Sequence, residues 1–98
     1  MTVPLMISNE AAANVAMRLG IYGPAFTQVT ACASGTDAIG QAMDLLRAGR
    51  ADIAVAGGTE AAISVFAMGG FCRLKALTTL RNDDPTKASR PYDTGRDG

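Results

Sequence analysis

An apolar run that ends on a cysteine where a helix should begin constrains this chain more than any other feature. The run FTQVTA at residues 26–31 is rich in β-branched and aromatic side chains and follows the turn signal Gly23-Pro24, the pattern of a strand. Cys32 stands at its exit. From Ser34 to about Ala48 the spacing changes: Ile39, Ala42, Met43 and Leu46 share one helical face, and Asp37, Gln41, Asp44 and Arg47 the other. Ser34 followed by Asp37 resembles a capping box, and Gly49 supplies the stop. Ile53-Ala54-Val55-Ala56 is then a short uninterrupted apolar run of the kind found in strands covered on both faces. Strand, helix and strand predict a right-handed βαβ unit with parallel strands. The expected fold class is therefore α/β. Ala38 and Gly40 would let the helix lie close to its neighbours, as a buried helix must, and the cysteine would sit at the carboxyl end of a strand, where open α/β sheets place binding sites.

Around this unit the punctuation is plain. Ser8 is expected to cap a helix running to about Leu19, with Ala12, Val15, Ala16 and Leu19 as its apolar stripe and Gly20 as its end. Residues 61–70 predict a further helix, and residues 71–80 a short helix or loop. Residues 81–98 turn to Asn, Asp, Pro, Thr and Arg, a surface connection with no further element to close the sheet, so the sheet is expected to be incomplete.

Composition narrows the function classes. With 98 residues, 48% of them apolar and 18% charged, the chain suits one globular domain with a modest core. Nine basic and nine acidic residues cancel, which argues against nucleic acid or an anionic membrane as the main partner. The balance is uneven, however: residues 73–98 carry net +2 and residues 1–72 net −2, so an acidic partner would meet the C-terminal quarter. Two cysteines forty positions apart, with no CxxC and no histidine, give no metal pattern and no disulfide framework. No signal segment opens the chain and no apolar run approaches the ~20 residues of a membrane span, so a soluble protein of the reducing cytoplasm is expected.

The chemistry rests on Cys32. Unpaired N–H groups and the dipole at a helix N-terminus favour a thiolate, the reactive form of cysteine. Yet no histidine is present to serve as base. Either Cys32 is a buried structural thiol, or the chain is part of a longer enzyme whose base lies beyond Gly98. Cys72 has no comparable context and reads as a small buried hydrophobe. Gly57-Gly58 fits no phosphate-loop pattern and reads as close backbone packing. Asp93, Arg96 and Asp97 read as structural pairing with nearby arginines rather than a metal or catalytic cluster. Arg73, Lys75 and Arg81 alone read as a solvated basic face, and Phe71 alone as core.

The stretch VTACASGTDAIGQAMDLLRAGRADIAVAGG at residues 29–58, then Gly69-Gly70-Phe71, Ala88-Ser89-Arg90-Pro91-Tyr92-Asp93 and Arg96-Asp97-Gly98, closely resembles the β-ketoacyl-acyl carrier protein synthases across essentially the whole chain. The TACASG form is similar to the fatty-acid elongating synthases. The resemblance implies a thiolase-like fold, of which residues 1–98 form part of the N-terminal synthase domain. It implies a homodimer paired through the strand at residues 26–31, and no cofactor or metal. Cys32 would be the acylated nucleophile, its backbone N–H forming half of an oxyanion hole. Phe71 would line or gate the acyl pocket. Lys75, at a position usually held by arginine, would face the acidic acyl carrier protein. The substrates implied are acyl and malonyl thioesters, joined by decarboxylative condensation. The family's two catalytic histidines, its lysine and its second oxyanion loop have no counterpart in these residues, so the isolated 98 residues are expected to be inactive. A type II polyketide ketosynthase and a non-catalytic truncated or partner protein of the same family are the alternatives.

Overall fold

The structure, a computed structural model, describes Val3 and residues 6–98. The chain divides into two units, Met1–Glu60 and Ala61–Gly98.

In the first unit, helix α1 spans Glu10–Leu19 and helix α2 spans Ser34–Arg47, the latter entered through a single 3-10 turn at Ala31–Ala33. Glu10 in the first turn of α1 and Arg18 in its last both suit the helix dipole. Asn9, not Ser8, is the N-cap, and it makes no side-chain capping bond. The two helices end in the same way. Gly20 takes φ 64°, and the N–H groups of Gly20 and Ile21 donate to Met17 O (3.4 Å) and Ala16 O (2.9 Å). Gly49 takes φ 65°, and Gly49 and Arg50 donate to Leu46 O and Leu45 O, both at 3.0 Å. These are Schellman ends, which need a residue in the left-handed region that glycine adopts without strain.

Neither apolar run forms a strand. Residues 26–30 and 53–60 carry no regular structure, and no strand occurs among the described residues. The expected α/β class, its βαβ unit and incomplete sheet, and the dimer strand at residues 26–31 are therefore corrected to short helices joined by irregular segments. The physical reason is that a strand is not a local property: its N–H and C=O groups need a ladder partner, and these two runs do not provide one for each other. Val29 and Ile53 are 75% and 86% exposed rather than covered on two faces. The helix is likewise not deeply buried. Ala38 and Gly40 are half-covered, while Ile39, Met43 and Leu46 stand exposed, and no described hydrophobic residue is buried.

In the second unit, helix α3 spans Val65–Arg73, starting later and ending later than the apolar composition of residues 61–70 suggests. Its start is set by Ser64, whose backbone is extended and whose Oγ accepts the Ala67 N–H at 3.3 Å. Gly69, Gly70, Phe71 and Cys72 consequently lie inside the helix. Its end repeats the Schellman pattern, Lys75 N–H to Cys72 O and Ala76 N–H to Phe71 O at 3.0 Å, but with Lys75 at φ 57° in place of a glycine.

Beyond α3 and a 3-10 turn at Pro85–Lys87, one carboxylate organises the unit. Asp97 accepts from Thr78 Oγ1 at 2.5 Å and from the Thr79 and Leu80 N–H groups at 3.2 and 3.1 Å. Gly98 follows so closely that a Cβ there would stand 2.7 Å from Thr78 N. Asp93 accepts the Gly95 N–H at 2.6 Å, and Arg90 donates to the Gly95 carbonyl. Arg96 donates to the Asp93 carbonyl at 3.4 Å and the Arg81 charge acts on Asp97, while the Asp93 and Asp97 carboxylate oxygens take amides and a hydroxyl rather than arginines.

Two outcomes follow. The Thr78 hydroxyl, ahead of the two amides, holds the Asp97 carboxyl below its ordinary value of 3.8. A carboxyl lowered by folding stabilises the fold above the ordinary value, and that contribution disappears as the pH falls through the lowered one. Hydrogen exchange at Thr79 and Leu80 should thus stay protected down to about pH 4 and lose protection only below it; Asp97→Asn should lose it at every pH. Lys75→Gly should relieve a left-handed residue and add about 1 kcal/mol, read as roughly fivefold slower exchange at the Ala76 N–H.

Candidate functional site

Cys32 sits in the middle residue of the 3-10 turn that leads into α2, and its side chain is exposed. Ala31, just before it, has φ 52°, a left-handed conformation that costs an ordinary residue about 1–2 kcal/mol. Such a bend persists only where its surroundings enforce it.

Those surroundings are three polar side chains. Ser34 Oγ accepts the Thr30 N–H at 2.9 Å and donates to the Ala31 carbonyl at 2.7 Å, so one hydroxyl ties both residues that precede Cys32. Thr30 Oγ1 donates to Asp37 Oδ2 at 2.5 Å, a charge-assisted contact that spans the bend from outside. The Ala33 N–H closes the turn on Thr30 O at 3.1 Å. Ser34 and Asp37 therefore do not form the capping box expected of them: Ser34 is already the first residue of α2, and both side chains reach back to the turn. The Cys32 N–H itself has no acceptor among the described residues.

Backbone packs against the same turn. A Cβ on Gly35 would stand 3.5 Å from Gly58 Cα, and one on Gly58 would stand 3.3 Å from Gly35 Cα. The reading of Gly57-Gly58 as close backbone packing holds at Gly58, whose partner is the first turn of α2.

Phe71 and Lys75 belong to the second unit, at the C-terminal end of α3. Phe71 is 44% exposed and Lys75 lies on the surface. Cys72 is also exposed, not buried as expected, because α3 has no covering layer among the described residues. Two shallow depressions, one along α1 at Asn14, Val15, Arg18 and Leu19 and one at Gln41, Asp44, Leu45, Ala48 and Arg50, border neither Cys32 nor Phe71. Among the described residues no cluster of His, Cys, Asp and Glu is arranged to hold a metal, and no helix is long and apolar enough to cross a membrane.

Thr30 is the site residue that sequence reasoning passed over. A threonine two positions before a cysteine carries no signal of its own, and its partner Asp37 had been assigned to the helix cap.

The family model for the Beta-ketoacyl synthase, N-terminal domain, matches residues 1–98. Among curated proteins, the chain is 49% identical over 96 residues to 3-oxoacyl-[acyl-carrier-protein] synthase 2 of Rhizobium meliloti, covering 98% of this chain and 23% of that protein. It is 45% identical over 96 residues to the mitochondrial 3-oxoacyl-[acyl-carrier-protein] synthase of Arabidopsis thaliana, with 98% and 21% covered. The synthase 2 of Synechocystis is 49% identical over the same length, with 98% and 23% covered. The chain thus spans less than a quarter of the length of these relatives. Matched from end to end by the family model, and nearly half identical to synthases from bacteria and a plant, the chain belongs to the β-ketoacyl synthase family, in the region of its N-terminal domain.

Proposed function

We propose that this chain carries the acyl-accepting section of a β-ketoacyl-acyl carrier protein synthase acting in fatty acid elongation, with Cys32 as its nucleophile. The observation that carries the reading is the identity of 45–49% with 3-oxoacyl-[acyl-carrier-protein] synthases over 98% of the chain. One feature of the turn supports it: the Cys32 N–H is left without an acceptor among the described residues.

In the proposed reaction the Cys32 thiolate bonds to the carbonyl carbon of an acyl thioester on the carrier protein. The carrier C–S bond breaks, and the carrier sulfur leaves with a proton. The Cys32 N–H, aimed at the oxygen that gains charge, contributes where stabilisation counts most. Malonyl-carrier protein then loses carbon dioxide, the electron pair stays on the α-carbon, and that carbon attacks the acyl group. The bond to Cys32 breaks, and a β-ketoacyl product leaves on the carrier. Phe71 borders the acyl chain, and Lys75 offers a point charge to an acidic carrier protein, without the bidentate grip of arginine.

With no histidine in the chain, the 98 residues alone supply a nucleophile but no histidine to deprotonate its thiol or to stabilise the charge that decarboxylation leaves. For the isolated polypeptide this favours the non-catalytic reading. In the full-length product of its own gene, Cys32→Ala should abolish condensation of acyl and malonyl carrier thioesters, whereas Cys72→Ala should leave it within about twofold, the scale of an exposed substitution outside the machinery. A Cys32→Ala protein that still condenses would refute the assignment. The isolated 98 residues should form no β-ketoacyl product in the same assay.

A further inference from the structure

We infer that Thr30 and Asp37 are positioning residues for Cys32, joined by a hydrogen bond that holds the left-handed bend at Ala31 and so aims the Cys32 thiol and N–H. This rests on the nucleophile assignment above and adds to it two side chains that touch no reacting atom.

The argument is one of constraint. Ala31 at φ 52° is a conformation an alanine does not keep unless it is held. Relaxation of that one torsion would swing the plane of the Ala31–Cys32 peptide, and with it the Cys32 N–H. The Ser34 hydroxyl ties the bend from within the helix, through the Thr30 N–H and the Ala31 carbonyl. Thr30 Oγ1 to Asp37 Oδ2 reaches from the segment before the bend to the second half of the first helical turn, across seven residues. Both residues are exposed, so the bond adds no packing. An exposed hydrogen bond of this kind adds little to global stability, but it fixes the direction of a short turn.

The test uses the full-length gene product and reads the rate of Cys32 acylation by an acyl thioester in a single turnover. Thr30→Val removes the hydroxyl at constant shape and should slow acylation on the order of ten- to a hundredfold, the scale of a misplaced reacting group, with KM for the thioester unchanged. Thr30→Ser should restore most of the rate. The decisive variant is Thr30→Val combined with Ala31→Gly. Glycine takes the left-handed bend without being held, so the rate should recover if the clamp acts through Ala31. If Thr30→Val does not fold, Asp37→Ala is read in its place with the same expectations. A Thr30→Val rate equal to the parent's, or a loss that Ala31→Gly does not recover, overturns the inference. Cys32→Ala in the same assay separates the two claims: acylation that survives it defeats the nucleophile assignment itself, whereas its loss beside a fully active Thr30→Val defeats only the clamp.

Discussion

Local hydrogen bonding is the constraint on which everything else in this structure depends. No described hydrophobic residue is buried, so the elements are held by what their own ends can do. Helices of 10, 14 and 9 residues are marginal in water by propensity alone. Each stops at a Schellman turn that satisfies two orphan carbonyls, and α3 also starts at a serine cap. Asp97 applies the same logic over a longer loop, drawing three donors from residues 78–80 onto one carboxylate. Ile63, Val65 and Phe66 remain about nine-tenths exposed. Burial of such side chains would stabilise by roughly 1.5–3 kcal/mol each, a gain left unused among the described residues.

On the proposed reading, the candidate site is the place where local bonding serves chemistry instead of merely ending an element. A cysteine at a helix entrance is a common arrangement with an ordinary reading. What distinguishes Cys32 is a turn in which alanine occupies a glycine-like conformation while the Ser34 hydroxyl and the Asp37 carboxylate both reach back to the residues before the thiol. Gly35 and Gly58 lie close on that flank, where a Cβ on Gly58 would stand a tight 3.3 Å from Gly35 Cα. The thiol is left exposed and its amide without an acceptor among the described residues, the combination that attack on a thioester carbonyl calls for.

The ends of α1 and α2 are legible in the sequence because nearby residues set them, whereas α3 starts and ends later than residues 61–70 suggest and α1 is capped at Asn9 rather than Ser8. Gly20 and Gly49 mark their turns, and the 3.6-residue spacing over residues 34–48 marks α2 to within a residue. The strands were misread for the opposite reason. Residues 26–31 and 53–56 have the side chains of strands, but composition expresses only the preference for a ladder, and the partner must be supplied by other residues. The same gap explains Cys72, which is apolar enough for a core that the described residues do not form. At the candidate site, the motif points to Cys32. The Thr30 clamp was not, because its bond to Asp37 depends on a bend at Ala31 that no alanine advertises. The Ser34–Asp37 spacing pointed instead to a cap that the structure does not make.

The central claim, that Cys32 accepts the acyl group, is tested most directly by peptide mass spectrometry on the full-length gene product after incubation with an acyl thioester of known mass. Cleavage after arginine and lysine places the two cysteines of this segment on separate peptides, residues 19–47 for Cys32 and 51–73 for Cys72. The account predicts the acyl mass on the first peptide, lost on treatment with hydroxylamine as a thioester should be. An acyl group found only on the second peptide, or on neither, would contradict it.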